Sequence, residues 1–170
     1  DKLQAKAITE YAINDLGYKN IAVMFQNDDF GAGGKDVVVE TLKDAGIEPL
    51  AVEAFDSSAT DMSAQLLKIK DLNPEAIIMW TMYGCGATIA KQCDQLGIDC
   101  DLMGGGGLTN AKLYELGGES AVGILNTQTF FPDKEKASET AGAFIDAYEA
   151  EYGETPDSNA AMSYDSMMVL

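Results

Sequence analysis

The sequence predicts an α/β domain: a doubly wound, mainly parallel sheet with helices on both faces. Two observations lead there. Short apolar runs such as "NIAVMF" and "AIIMW" lack the apolar–polar alternation of a half-exposed strand, which marks strands buried on both sides. Between them lie longer segments whose apolar residues recur at helical spacing, and this regular exchange of the two kinds of segment is the βαβ pattern.

Taken in order, Ile8, Ala12 and Leu16 mark the face of a first helix, stopped at Gly17. "NIAVMF" (20–25) reads as the first buried strand. Val38, Leu42 and Ala45 mark a second helix ended by Gly46, and "PLAVEAF" (49–55) is the second strand. Met62, Leu66 and Ile69 lie on a third helix, with Thr60 or Asp61 at its N-cap. "AIIMW" (76–80) is the third strand, and a helix through Ile89 and Leu96 follows it. "DLMG" (101–104) is a short fourth strand, "LTNAKLYEL" (108–116) a helix, and "AVGILN" (121–126) the fifth strand. After Pro132 the character shifts. Phe144, Tyr148 and Tyr152 share a helical face, Gly153 and Pro156 break it, and "SNAAMSYDSMMVL" begins a last helix. That helix runs apolar to Leu170 without a stop signal, and Asp1 begins without an initiator methionine or a signal peptide. The sequence is therefore expected to be a piece of a longer chain.

Composition prunes the chemistry. The 170 residues carry 28 acids and 11 lysines, a net charge of −17, with no arginine and no histidine. Nucleic-acid binding needs cations along a phosphate backbone, so no nucleic-acid partner is expected. Without histidine there is no Ser-His-Asp or Cys-His pair and no imidazole metal ligand. Without arginine no guanidinium can clamp a carboxylate or phosphate from within this chain. No metal, no cofactor and no enzymatic activity are expected. No apolar stretch approaches the roughly 20 residues that span a bilayer. Cys85, Cys93 and Cys100 are spaced by 8 and 7 residues, which fits no zinc or redox motif. Cys93 and Cys100 flank a helix-to-strand turn and could pair in an oxidising compartment. Against that, Cys93 shares an i, i+4, i+7 apolar face with Ile89 and Leu96, which reads as core.

In a parallel sheet the strand-to-helix loops gather along one edge, and ligands bind there. The loops to weigh are Gln26–Gly34, Asp56–Asp61, Thr81–Gly86, Gly104–Thr109 and Thr127–Pro132. The first, within "FQNDDFGAGGKD", tests several chemistries. As a Walker loop it puts Asp29 where the first glycine belongs and Asp36 where the magnesium-binding hydroxyl belongs, which would repel a phosphate. It also lacks the dinucleotide-binding glycine pattern. Asp28-Asp29 after the first strand matches the acid pair of phosphoacceptor receiver domains, but "MWTMYGC" and "LNTQTFFP" lack the acceptor aspartate and the lysine. What remains is a rim of small residues carrying Phe30, repeated in "TMYGCGAT" around Tyr83 and in "MGGGGLT". Such a rim can sandwich an organic solute, with the helix beginning near Gly84 offering N–H groups to an oxygen of the ligand. The blander reading is that the glycines make tight turns and that both aromatics pack.

The segment from "YAINDLGYKNIAVMFQNDDFGAGGKD" through "TDMSAQLLKIKDLNPEAIIMWTMYGCGATIAKQCDQLGI", with "LMGGGG" and the tail "FIDAYEAEYGETPDSNAAMSYDS", resembles the type I periplasmic solute-binding proteins of ABC transporters. The branched-chain (Leu/Ile/Val) amino acid group is the nearest within that family. The resemblance runs end to end and rests on order and spacing rather than on one motif. It implies one lobe of a two-lobed fold with the flavodoxin-like strand order 2-1-3-4-5. Residues 1–127 would be the core of the second lobe, and residues 128–170 a hinge crossover with helices that pack on the first lobe, whose body is absent. It implies a small-molecule solute, most readily a hydrophobic or branched-chain amino acid or a related carboxylate, captured by hinge closure. The partners would be membrane permease subunits, and the setting periplasmic or extracellular, with a lipid anchor as an option. Carried over by position, the candidate ligand-binding residues are Phe30, Tyr83, Gly84, Cys85, Gly105, Gly106 and Gln128. Gly106 stands where amino-acid binders of the family have an acidic residue that pairs with the ammonium group, so an α-amino group would need another partner. The alternative is the effector domain of a LacI-like regulator or another small-molecule sensor, which shares the fold but would need a DNA-binding head.

Overall fold

A computed structural model describes residues 2–169 and divides them into two compact units, Asp1–Thr127 and Gln128–Leu170. Leu170, the last residue of the apolar helical run read without a stop signal, lies outside the described residues.

The first unit holds a five-stranded, wholly parallel sheet in the order β2-β1-β3-β4-β5. The strands are β1 (Ile21–Gln26), β2 (Val52–Phe55), β3 (Ala76–Trp80), β4 (Asp101–Gly104) and β5 (Leu125–Asn126). The helices are α1 (Lys2–Asn14), α2 (Asp29–Asp44), α3 (Ser63–Lys70), α4 (Tyr83–Leu96) and α5 (Lys112–Gly117). The unbroken apolar runs of β1 and β3 feed two cores at once. Ile21, Val23, Ala76, Ile78 and Trp80 pack with Ala5, Ile8 and Ala12 of α1 and Val38 and Leu42 of α2. Their neighbours Ala22, Met24, Ile77 and Met79 point to the other face, among Leu66 and Ile69 of α3, Ile89 of α4 and Leu113 of α5. Period-two side-chain direction with both faces covered is why alternation is absent from these strands.

Several boundaries differ from the sequence reading. The stretch "DFGAGG" is not a loop but the first turns of α2, nucleated by Asp28, whose Oδ1 accepts from the Gly31 N–H at 2.8 Å. The third helix has Met62 at its N-cap position, while the Asp61 carboxylate accepts from the Ser63 N–H at 2.9 Å. Residues 49–51 lie outside β2, although Leu50 and Ala51 still exchange backbone bonds with β1. "LTNAKLYEL" becomes helical only from Lys112, preceded by a 3-10 turn at Gly106–Leu108. "AVGILN" contributes only Leu125 and Asn126 to the sheet, because Ala121 closes a 3-10 turn and Gly123 takes a φ of +91° that no strand permits. All three cysteines are free thiols. Cys93 is core as its helical face suggested, and burial pushes its pKa to about 12 and that of Cys100 to about 11.

The second unit contains α6 (Glu139–Tyr152) and α7 (Ser158–Met168). Each is capped by a side chain, Ser138 on the Ala141 N–H and Asp157 on the Ala160 N–H. Phe144 is its aromatic hub, with ring centroids 4.8 Å from Tyr164, 5.8 Å from Phe130 and 5.9 Å from Tyr148.

Candidate functional site

Parallel strands end together, so the turns after β1, β3 and β4 stand side by side at one edge of the first unit. Gln26, the last residue of β1, organises them. It is 5 % exposed, and its Oε1 accepts from Thr81 Oγ1 at 3.0 Å and from the Met82 N–H at 3.2 Å. Its Nε2 donates to Asp28 Oδ2, and the other Asp28 oxygen holds the Gly31 N–H. One buried amide therefore satisfies groups of two turns and locks the start of α2 to the start of α4.

Trp80 closes β3 beneath this edge. A Cβ on Gly34 would lie 2.2 Å from the indole, and one on Gly105 2.4 Å from its far edge. Both glycines exist to admit the ring. Phe30 stacks on it at 6.1 Å and 38°, and its tip reaches the backbone of Gly107, where a Cβ would lie 3.2 Å from Cζ. Gly31 has a comparable reason, since a Cβ there would meet the Gln26 carbonyl oxygen at 1.8 Å. The Trp80 Nε1–H has no partner among the described residues. Burial of so large an apolar ring against α1 and α2 offsets the roughly 1–3 kcal/mol such a group costs.

The carried-over positions separate into classes. Phe30 and Tyr83 are half-buried at the edge, Phe30 at the start of α2 and Tyr83 as the first residue of α4. The first intrahelical bond of α4 runs from the Gly86 N–H to the Met82 carbonyl at 3.0 Å. The amides of Tyr83, Gly84 and Cys85 thus lack helical partners and lie at the positive end of a 14-residue helix. The Cys85 thiol turns away, donating to the Ser57 carbonyl at 3.3 Å, and burial raises its pKa. Gly105 is buried against Trp80, whereas Gly106 is half-exposed. Gln128 opens the second unit, where its Oε1 accepts from Ser158 Oγ at 3.2 Å.

One polar residue at this edge escaped the sequence reading, which searched only strand-to-helix turns. Gln4 lies on α1, a helix that enters β1 and so runs against the strands. Its Oε1 accepts from the Gly106 N–H at 3.3 Å, and its backbone carbonyl accepts from Thr127 Oγ1 at 3.3 Å. The signal that could have found it is the direction of α1, whose first turn must lie where the strands end.

A separate groove between α1 and the second half of α2, lined by Lys6, Glu10, Val37, Glu40 and Asp44, holds about 460 Å³. Its polar walls carry no buried convergent group, and it lies away from the turns that gather Phe30, Tyr83 and Gly106. The open strand edge is therefore the better candidate.

An edge of this kind offers aromatic walls, helix-end amides and backbone exposed by glycine, with no histidine, and its one thiol, Cys85, is buried. The chain belongs to the periplasmic binding protein family, whose model matches residues 1–170. Its sheet has the strand order of the type I fold of that family, of which it forms one lobe. Among solved structures it is similar to a leucine binding protein LivK from Thermotoga maritima, with 31 % identity and a TM-score of 0.91 over 99 % of this chain and 48 % of that one. It is also similar to LivJ from Streptococcus pneumoniae, solved in complex with isoleucine, at 30 % identity and a TM-score of 0.81 over 96 % of this chain and 46 % of that one. A Leu/Ile/Val-binding protein homolog from Brucella melitensis is 25 % identical over 141 residues, 83 % of this chain and 38 % of that protein. The chain thus spans less than half the length of these relatives.

Proposed function

We propose that this chain is the ligand-binding lobe of the substrate-binding component of an ABC importer for branched-chain amino acids or closely related carboxylates. The observation that carries the proposal is the strand edge itself. Phe30 and Tyr83 stand at the starts of two helices, locked together by Gln26, beside the amide-bearing start of α4. Aromatic walls suit an aliphatic side chain, and unpaired helix-start amides suit a carboxylate oxygen. The names of relatives that bind leucine, isoleucine and valine support the same chemistry.

In this reading residues 1–127 form one wall and residues 128–170 carry the chain back across the hinge. A second lobe outside this chain closes over the solute. Phe30, Tyr83, Gly84, Cys85 through its backbone amide, and Gly106 contact the ligand; Gly105 acts through Trp80, and Gln128 belongs to the crossover. The loaded protein docks on permease subunits at the membrane, from the periplasmic or extracellular side, and the solute leaves chemically unchanged. Titration calorimetry of the full-length protein with leucine, isoleucine, valine and glutamate tests this. Saturable binding of the aliphatic three, with the titrant recovered intact by mass spectrometry, is the expected result. Binding of none of the branched-chain amino acids or their 2-oxo acids, or conversion of any, would overturn it.

A further inference from the structure

We infer that Gln4, on the helix that precedes the sheet, is a specificity-determining residue of this site, supplying a neutral amide where residue 106 has no side chain. The inference rests on the proposed function and goes one step further, to which polar group of the solute this lobe selects. The geometry is direct. A Cβ built on Gly106 would lie 3.0 Å from Gln4 Nε2 and 3.2 Å from Gln4 Oε1. The amide therefore occupies the space into which a side chain at 106 would grow. It is held there by the Gly106 N–H on Oε1, while Thr127 Oγ1 on the Gln4 backbone carbonyl anchors the helical turn that carries it, so turns after two different strands position the residue. Gly107, the next residue, touches the tip of Phe30, which places the amide and the aromatic wall on consecutive residues of one turn.

The consequence is electrostatic. With Oε1 engaged by Gly106, the amide presents its Nε2 donor, which has no partner among the described residues. A donor of no net charge matches an acceptor on the solute, such as a carbonyl or hydroxyl oxygen. A buried ammonium group needs a carboxylate opposite it, and an amide supplies none. The site should accordingly accept a branched-chain 2-oxo acid at least as well as the amino acid of the same skeleton.

The test compares L-leucine with 4-methyl-2-oxopentanoate by titration calorimetry, using the full-length protein and its Gln4→Glu and Gln4→Met variants. Gln4→Glu should shift the affinity ratio toward leucine by about tenfold or more, the scale of one hydrogen bond to a charged group. Gln4→Met, which keeps the length but removes the donor, should weaken the oxo acid more than leucine. A residue that merely braces the Gly106 turn would scale both affinities alike. If both variants leave the ratio unchanged, the inference fails while the importer reading stands. If the wild-type protein binds neither compound nor any other branched-chain acid, both fail together.

Discussion

Trp80 accounts for two of the glycines at the strand edge. Its ring fills the space that side chains on Gly34 and Gly105 would need, so these two glycines serve packing first. Gly105→Ala should destabilise the protein by about 1–3 kcal/mol through overpacking. The loss should be smaller in a Trp80→Phe background, because the two changes share one contact. Urea denaturation of the four proteins measures this, and an alanine at 105 as stable as wild type would show that the ring moves aside freely. Glu75 makes the other residue-level prediction. Its Oε2 accepts the backbone N–H groups of Lys19 and Asn20, both at 2.8 Å, and these bonds hold its pKa below the usual 4.5. A carboxylate with a depressed folded pKa contributes stability that is complete above the unfolded pKa and is lost as pH falls through the folded one. Glu75→Gln should therefore be less stable than wild type at pH 7, and the difference should shrink below about pH 4.5. Thermal melts from pH 7 to pH 3 would expose a gap that stays constant.

At the scale of elements, α2 and α4 are joined at their first turns by Gln26 rather than by direct packing. Gln26→Leu would strip partners from the Met82 N–H, Thr81 Oγ1 and Asp28 at once. Each buried group left unpaired costs about 1–3 kcal/mol, so the loss should exceed that of a single hydrogen bond. Amide exchange at Met82 should quicken while that of the β1 and β3 strand centres stays protected. Equal acceleration everywhere would mean that Gln26 contributes to global stability alone and does not lock the two turns. The fifth strand shows the limit of local reading. Residues 121–124 are apolar enough for a strand, yet a 3-10 turn and the positive φ of Gly123 leave only two residues to pair with β4.

At the scale of the whole molecule, one lobe offers one wall. If the solute is enclosed between two lobes as proposed, the 170-residue chain alone should bind it far more weakly than the full-length protein, because half of the enclosing contacts and the exclusion of water by closure would be missing. A deficit of about 4 kcal/mol, or roughly a thousandfold, is the expected scale. Calorimetry on both forms would settle it, and equal affinity would show that this lobe makes the whole site. Within the second unit, Tyr152, Met162, Met167 and Met168 are exposed by 46 % to 72 % of their surface. Light scattering of the isolated chain should accordingly detect association as concentration rises.

The unbroken apolar runs and the helical periodicities between them were enough to determine the class of fold, and the histidine- and arginine-free composition argued against chemistry that needs an imidazole or a guanidinium from this chain. Those properties are local, or sums over the chain, and need no knowledge of neighbours. Tertiary structure decided what each small residue is for. Whether Gly34 or Gly105 faces a solute or a tryptophan depends on a ring 46 residues from the first and 25 from the second in sequence. Only the sheet brings them together. It likewise brought Gln4 to Gly106 across 102 residues, because a helix running against its strands delivers its first turn to the edge where those strands end.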